Sequence, residues 1–311
     1  MILSQICTIL PLLVSLALAG DLNVKRDMSV AATKGYKDGQ FVWTSIVDLE
    51  KKEKVLPEEM VKIAHEASKE MQADFGSVPE AKQPSIMTAM EIDNRIYLAS
   101  SMKGDYSFIY DFKTKDKGGK VGNGSIRKGV PKEIADALGD AQSTGSGEDR
   151  NNVQHKNDAS CGELMASYTY LLKNSGQSLK NKKPKQTIAW LYTKTKDGKI
   201  VEQAHNPCGT KENAWGCDLF CHHMGFTPIN VDTEEACDLP KIANTEQQQL
   251  MTKELRAQLD AMNKETDEAN KEKQKEKNKK KQGDEGKNKG QKKEEDDKKG
   301  KGGKKARFWS V

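Results

Sequence analysis

The stretch Ser160-Cys161-Gly162-Glu163-Leu164-Met165-Ala166 begins a predicted helix and places a thiol two residues before a carboxyl group. Further along the chain, Pro207-Cys208 leads towards the next predicted helix and Gly216-Cys217 begins it. Helix N-termini favour thiolates, because their dipole and backbone N–H groups lower the pKa of a nearby thiol. Three thiolates can hold a zinc ion with one position open for water, and a neighbouring carboxyl group can transfer protons. The sequence therefore predicts Glu163 as a catalytic residue and, as zinc ligands, Cys161, Cys208 and Cys217.

Hydrophobic periodicity around this stretch predicts an α/β domain over residues 57–263, in the order helix, strand, strand, helix, strand, helix, strand, helix. Pro57 suits the first position of a helix. Two apolar runs that meet at Asp93-Asn94 predict a β-hairpin. The last helix is predicted over residues 245–263. The predicted central strands are Ile86–Ile92, Ile96–Ala99, Thr187–Leu191 and Pro228–Val231.

Two other regions carry weaker patterns. Residues 21–56 are predicted to form an N-terminal extension whose only strand-like run is Phe41–Val47. Residues 113–157 are rich in Gly, Lys, Asp, Ser and Asn, which is typical of a surface loop. They are predicted to be a long insertion with one short helix at Lys132–Leu138 and a glycosylation sequon at Asn123.

Residues 1–20 are typical of a secretory signal peptide. An apolar run from Ile2 to Leu18 ends in the small residues Ala17-Leu18-Ala19-Gly20. No later segment is apolar for long enough to cross a bilayer, so we expect a secreted protein with no membrane span. Lys25-Arg26 is either a dibasic processing site or a pair of solvated charges.

The C-terminal residues are predicted to be a disordered, lysine-rich tail over 264–311. Residues 264–307 hold 18 of the chain's 51 basic residues and 11 of its 46 acidic ones, so the rest of the chain is slightly acidic. The tail has almost no apolar residue before Phe308 and cannot bury enough surface to offset chain entropy. Its clusters Lys279-Lys280-Lys281 and Lys304–Arg307 suit nucleic acid, nuclear targeting or a host protein, and the alternative is a solubilising tail.

The cysteines allow two interpretations. Without Cys7 of the signal peptide, five remain, and export to an oxidising compartment favours disulfides among the clustered ones. In the other interpretation, Cys161 joins two of the clustered thiols on a metal. The adjacent His222 and His223 point in different directions on a helix, so solvated or capping roles are the default for them.

The order of elements, with Cys161-Gly162-Glu163 on the second helix and Pro207-Cys208 before the third, resembles the cytidine deaminase superfamily. The run Gly225–Val231 is similar to the segment that follows the second motif in secreted deaminase-like toxins. The resemblance implies a three-layer α/β fold and zinc-dependent deamination of a pyrimidine base. The spacing departs from the family, because eight residues separate Cys208 from Cys217 where the motif has two.

Three functions follow from these patterns. The first is a secreted, effector-like zinc deaminase, with a role in virulence. The second is a non-catalytic secreted interaction protein on the same scaffold, with Cys208 and Cys217 in a disulfide. Ser160 and Glu163 would then serve only as a capping box of the helix. The third is a binder of nucleic acid or a nuclear-targeted protein that acts through the basic tail. The sequence does not indicate an oligomeric state.

Overall fold

The computed structural model describes residues 21–31, 40–50, 54–104, 107–111, 125–126, 129–144, 154–211 and 214–253, and individual residues between 255 and 275. The chain divides into two units, residues 1–256 and 257–311, and the fold below is that of the first. The predicted signal peptide, the Asn123 sequon and residues 276–311 of the predicted tail lie outside the described residues. The structure therefore does not test these three predictions.

The first unit is a mixed α/β structure. Its helices are α1 (Met28–Ala31), α2 (Pro57–Ala73), α3 (Lys132–Thr144), α4 (Gly162–Lys173) and α5 (Cys217–Met224), with a 3-10 turn at Glu80–Lys82. Its strands are β1 (Lys25–Arg26), β2 (Gln40–Phe41), β3 (Trp43–Leu49), β4 (Ile86–Ile92), β5 (Arg95–Ser100), β6 (Lys103–Gly104), β7 (Tyr110–Asp111), β8 (Ser125–Ile126), β9 (Gln154–His155), β10 (Lys185–Lys194), β11 (Ile200–His205), β12 (Ala214–Trp215), β13 (Thr227–Pro228) and β14 (Ile242–Glu246).

The main sheet has the strand order β1-β3-β5-β4-β10-β11, with β14 paired to β3 and β13 paired to β10. Strands β4 and β5 form the predicted antiparallel hairpin. Its turn residues Asp93 and Asn94 have φ values of 56° and 63°, as a tight two-residue hairpin turn requires. Strand β10 is antiparallel to β4 and β11 but parallel to β13, so the chain crosses over through α5 between β10 and β13.

Helices cover both faces of this sheet. Because side chains alternate between the faces of a strand, Met87 and Ala89 of β4 belong to the apolar core that includes α2. Their neighbours Thr88 and Met90 face α4, where the Ser167 hydroxyl contacts the Met90 sulfur at 3.9 Å. The predicted α/β class is therefore confirmed, with α2 on one face and α4 on the other.

Two predicted elements near the C-terminus have different bounds from those predicted. The predicted strand Pro228–Val231 is confirmed only at its start, because the strand β13 that pairs with β10 is Thr227–Pro228. The predicted start of the last helix at residue 245 is a strand, because β14 pairs with β3 through residues 242–246. The backbone N–H of Leu250 then donates to the Asp27 carboxylate at 2.7 Å, and described helical residues begin at Lys253. Tertiary pairing thus overrides the local helical pattern.

The flanking regions contribute to the fold more than the sequence predicted. Strand β3 belongs to the extension of residues 21–56, yet it pairs with β5 in the main sheet. In the predicted insertion, α3 runs to Thr144 instead of Leu138 and packs against α5. Strand β9 of the same segment pairs in parallel with β12. Residues 113–157 therefore include parts of the packed domain.

No helix among the described residues has the length and apolar character needed to span a membrane. Of the predicted disordered tail, the described residues Lys264, Glu268, Lys271, Glu272 and Lys275 are helical and exposed.

Candidate metal centre

The start of α4 is pressed against the sheet. A Cβ atom on Gly162 would lie 2.3 Å from Thr88 Oγ1 and 2.6 Å from the Ala99 carbonyl oxygen, so only glycine fits there. The residue before it, Cys161, is the N-cap of the helix and makes no side-chain capping bond. The Glu163 side chain lies in the first turn and is 3% exposed. The capping box between Ser160 and Glu163 is therefore wrong, because the helix begins one residue later than that motif requires.

The eight-residue loop between Cys208 and Cys217 folds back on itself. Lys211 and Ala214 exchange two backbone hydrogen bonds, of 2.7 and 3.2 Å. The Asp218 carboxylate accepts hydrogen bonds from the Thr210 backbone N–H at 3.0 Å and from the Thr210 hydroxyl at 2.8 Å. The loop thus bulges outward while its two ends remain in contact.

Where the two ends of that loop meet, the backbone of Gly216 packs directly against that of Cys208, which brings the two cysteines together. A Cβ atom there would lie 2.0 Å from the Cys208 carbonyl oxygen, which shows how closely the chain approaches itself. The backbone N–H of Cys217, the first residue of α5, donates to Cys208 Sγ at 3.1 Å. Although eight residues separate the two cysteines, Cys217 therefore still lies next to Cys208.

All three predicted ligand residues come together. Cys161 Sγ lies 3.2 Å from Cys208 Sγ, and their sulfurs, with that of Cys217, fall in one group whose ligand atoms all lie within 4.8 Å of one another. Each of these cysteines is a free thiol, as is the buried Cys221. The predicted disulfide between Cys208 and Cys217 is therefore absent from the structure.

The structure adds a residue that the sequence did not indicate. His155 is 1% exposed, and its Nε2 lies 3.4 Å from Cys217 Sγ. The parallel pairing of β9 with β12 aligns His155 with Trp215, two residues before Cys217. No local motif marks His155, because its position depends on pairing between distant segments. We call the four residues His155, Cys161, Cys208 and Cys217 the thiol cluster.

The donor set of the thiol cluster suits zinc. Thiolates and imidazole are the ligands that zinc prefers, and thiolates at about 2.3 Å from a tetrahedral ion lie about 3.8 Å from one another. The Cys161–Cys208 sulfur distance of 3.2 Å is somewhat shorter than this spacing, and all ligand atoms of the cluster lie within 4.8 Å of one another. Cys161 is the N-cap of α4 and Cys217 is the first residue of α5, and helix dipoles stabilise negative charge at these positions.

The three sulfurs differ in acidity. Hydrogen bonds from Cys161 and Cys217, with a further one from His155, hold the pKa of the Cys208 thiol well below its usual range. The pKa of Cys161 is raised, first by its hydrogen bond to Cys208, and that of Cys217 is raised, first by burial. The Cys208 thiol is therefore the most acidic of the three.

Glu163 shares this environment. Burial, and then the negative charge of Cys208, raise the pKa of the Glu163 carboxyl group to about 7. Such a carboxyl group can both accept and release a proton near neutral pH, as an acid–base residue must. Perturbed carboxyl groups of this kind are concentrated at functional sites.

A cavity of about 460 Å³ opens onto one side of this group. Cys161, Cys208 and Glu163 line it, whereas Cys217 and His155 are not part of its lining. The walls combine apolar and polar side chains, among them Ile86, Met102, Ala189, Ser107, Asn157 and Asn206. A ligand in the cavity would therefore contact two of the thiols and the carboxyl group together.

The other histidines of this region have separate roles. His205 lines the cavity, but it does not belong to the thiol cluster. His223 Nε2 lies 3.1 Å from the Thr144 hydroxyl.

No known protein family, curated protein or solved structure matches this chain. Its function must therefore be inferred from the site itself.

Proposed function

We propose that this protein is a zinc-dependent deaminase that acts on a pyrimidine base. One observation carries the proposal: two free thiols at helix starts, Cys161 and Cys217, come together with the free thiol of Cys208 beside a cavity that the buried Glu163 also lines. This is the set of groups that hydrolytic deamination by a zinc enzyme uses. The resemblance of the Cys-x-Glu and Pro-Cys motifs to the cytidine deaminase superfamily supports the same conclusion.

Cys161, Cys208 and Cys217 would hold the zinc ion. When bound to three protein ligands, zinc supplies a hydroxide nucleophile near neutral pH. The thiolates would bring three negative charges to this centre. The backbone N–H of Cys217 at the start of α5 partly offsets them through its 3.1 Å hydrogen bond to Cys208 Sγ.

Glu163 would move the protons of the reaction. Water adds to C4 of the pyrimidine ring, the bond from C4 to the exocyclic nitrogen breaks, and ammonia leaves. The Glu163 carboxylate would take a proton from water, give it to the ring nitrogen beside C4, and transfer a second proton to the departing amine. Its burial, with 3% of the residue exposed, keeps bulk water from competing for these transfers.

The size and the lining of the cavity suit a small aromatic substrate. Its volume of about 460 Å³ lies within the range of small-molecule sites, and Ile86, Met102 and Ala189 provide apolar surface for a planar ring. The side-chain amides of Asn157 and Asn206 can donate to and accept from the edge of a base. A nucleobase or nucleoside fits this combination.

An assay of the zinc-loaded full chain tests the proposal. Cytosine, cytidine, deoxycytidine, cytidine monophosphate and cytosine-containing single strands would be supplied in turn, with ammonia release and the change in ultraviolet absorbance as readouts. We expect turnover of at least one substrate, abolished in Glu163→Gln. Absence of turnover on the whole panel by a protein that holds one zinc would contradict the proposal.

A second candidate function is a structural zinc site. His155 brings the number of potential ligands in the thiol cluster to four, and closed four-ligand sites are structural. In that case the scaffold would serve interaction and not catalysis. The alternative with a Cys208–Cys217 disulfide loses support because both thiols are free.

We also propose that the protein is secreted and acts as an effector, with the basic tail in contact with nucleic acid or a host protein. Residues 1–20 and the tail motivate this part. A salt-dependent affinity for DNA or RNA that disappears when the chain is cut after Met262 would support the nucleic-acid partner. An affinity unchanged by the cut would exclude the tail.

A further inference from the structure

The hydrogen bonds of His155 determine which ring nitrogen carries its proton. Nδ1 accepts the backbone N–H of Asn157 at 3.1 Å and that of Ala159 at 2.9 Å. A backbone amide nitrogen can only donate, so Nδ1 must present its lone pair. In the neutral ring the proton then resides on Nε2, which faces Cys217 Sγ at 3.4 Å.

The surroundings of His155 hold the ring in this orientation. Its ring packs edge-on against Trp215, with centroids 4.5 Å apart, and lies 6.4 Å from the Tyr110 ring. Asp158 and Ala159 adopt φ values of 49° and 53°, a left-handed conformation that costs non-glycine residues conformational free energy. The hydrogen bond from the Ala159 N–H to Nδ1 helps to offset that cost, so the turn and the ring stabilise one another.

We infer that His155 is a positioning residue that donates its Nε2–H to the sulfurs of the cluster, Cys217 at 3.4 Å and also Cys208, and is not a zinc ligand. Ligation through Nε2 would need the lone pair of that atom and hence a proton on Nδ1, where two backbone N–H groups already point. Histidines that bind metals show the opposite arrangement, since their second nitrogen donates to an acceptor. This inference rests on the proposed zinc site, and it distinguishes a catalytic site with three protein ligands from a structural site with four.

The consequence is an open zinc site. With His155 in the hydrogen-bonding role, three thiolates would be the protein ligands and would leave one position for water. Cys161, Cys208 and Glu163 line the cavity from which water or a substrate would approach. The hydrogen bond from His155 would also withdraw electron density from the cluster's thiolates, which would lessen the accumulation of negative charge. Such outer contacts change metal affinity by about 10–100-fold.

X-ray absorption at the zinc edge of the full chain tests this inference without any assay of activity. We expect three sulfur atoms at about 2.3 Å, one oxygen at about 2.0 Å, and no outer-sphere scattering from imidazole. Imidazole scattering from a zinc-bearing wild-type protein would overturn the inference while leaving a metal site in place. A wild-type protein that binds no zinc would overturn the proposed function and the inference together.

Two variants test whether His155 acts as a hydrogen-bond donor or only as a structural side chain. The amide nitrogen of His155→Gln can reach the position of Nε2, so we expect its zinc affinity to stay within about 10-fold of the wild type. His155→Ala should keep three sulfur ligands, bind zinc about 10–100-fold more weakly, and shift the sulfur-to-cobalt charge-transfer band of the cobalt-loaded protein to lower energy. His65→Gln, outside the thiol cluster, is the matched control. Loss of a first-sphere ligand in His155→Ala would contradict the inference.

Discussion

Among the residues that the structure describes, two groups of side chains could hold a metal, and they differ in how their charge is balanced. The acidic cluster consists of His65, Glu66 and Glu235. In it, the Lys62 ammonium group lies 2.8 Å from Glu235 Oε1 and 3.1 Å from Glu66 Oε1. Burial lowers the pKa of Lys62, but hydrogen bonds to these carboxylates outweigh it and raise the pKa. The acidic cluster therefore already has its cation.

The thiol cluster differs from the acidic cluster in its burial and in the groups that balance its charge. Its histidine and two of its cysteines are buried, whereas the acidic cluster is partly exposed. Its sulfurs contact hydrogen-bond donors, namely the Cys217 backbone N–H and the Asn157 side-chain amide. Donors of this kind stabilise thiolates without filling the space between them. Proximity of ligand atoms is thus insufficient to identify a metal site, and the cation already present decides between the two clusters.

The largest expected effect is on zinc affinity. Cys208→Ser removes one of three thiolates that would share about 10–16 kcal/mol of binding free energy, so affinity should fall by roughly 10³-fold or more. Glu235→Gln, in the acidic cluster, should leave zinc affinity unchanged. Competition with a chromophoric chelator measures both. Equal losses in the two variants would erase the distinction between the clusters.

The next effect is on catalysis alone. Glu163→Gln removes the proton-transferring group, and deamination should slow by about 10²–10⁴-fold while one zinc remains bound. Glu66→Gln is the matched control, because it changes a carboxylate of the acidic cluster in the same way. Steady-state rates together with zinc content check this prediction. An unchanged rate in Glu163→Gln would remove this residue from the mechanism.

A smaller effect concerns the loop that joins Cys208 to Cys217. Gly216 has an extended backbone with φ of −127°, so Gly216→Ala acts only through the clash of its Cβ with the Cys208 carbonyl group. It should destabilise the protein by about 1–3 kcal/mol and weaken zinc binding. Gly209→Ala, in the same loop, has no atom within 4 Å of its Cβ and should change stability little. Denaturant unfolding of both variants provides the comparison, and equal stabilities would contradict the observed contact.

The smallest effect would come from exposing the acidic cluster. Lys62→Ala removes the ammonium group between Glu66 and Glu235 and leaves two carboxylates beside His65. We expect a second, weaker zinc equivalent in calorimetric titrations of this variant, in addition to that of the thiol cluster. Lys69→Ala, which removes an exposed lysine 2.9 Å from Glu66, should not create it. A second equivalent already present in the wild type would show that Lys62 does not occupy the site.

The sequence predicted those features of the fold and site that depend on local patterns. The hairpin of β4 and β5 followed from two apolar runs around Asp93-Asn94, and the ligand cysteines followed from motifs at helix starts. Gly162 and Gly216 each precede a site residue, and the structure shows that both glycines allow a close backbone approach. Such glycines are a signal that sequence reasoning could have used.

Features that depend on long-range pairing were missed. His155 reaches Cys217 through the β9–β12 ladder, which joins segments that have no pattern in common. The helical pattern predicted from residue 245 overlaps strand β14. Its Glu246 instead forms an ion pair of 2.8 Å with Arg95 of β5, across the intervening strand β3. The state of the thiols also could not be predicted, because it depends on whether the loop brings the two sulfurs into bonding geometry.

Native mass spectrometry of the full chain, purified without reducing agent or chelator, tests the central claim most directly. We expect one zinc ion per chain in the wild type and in Glu235→Gln. We expect no metal in Cys208→Ser. A wild-type chain without metal, whose peptide map shows Cys208 joined to Cys217 by a disulfide, would contradict it.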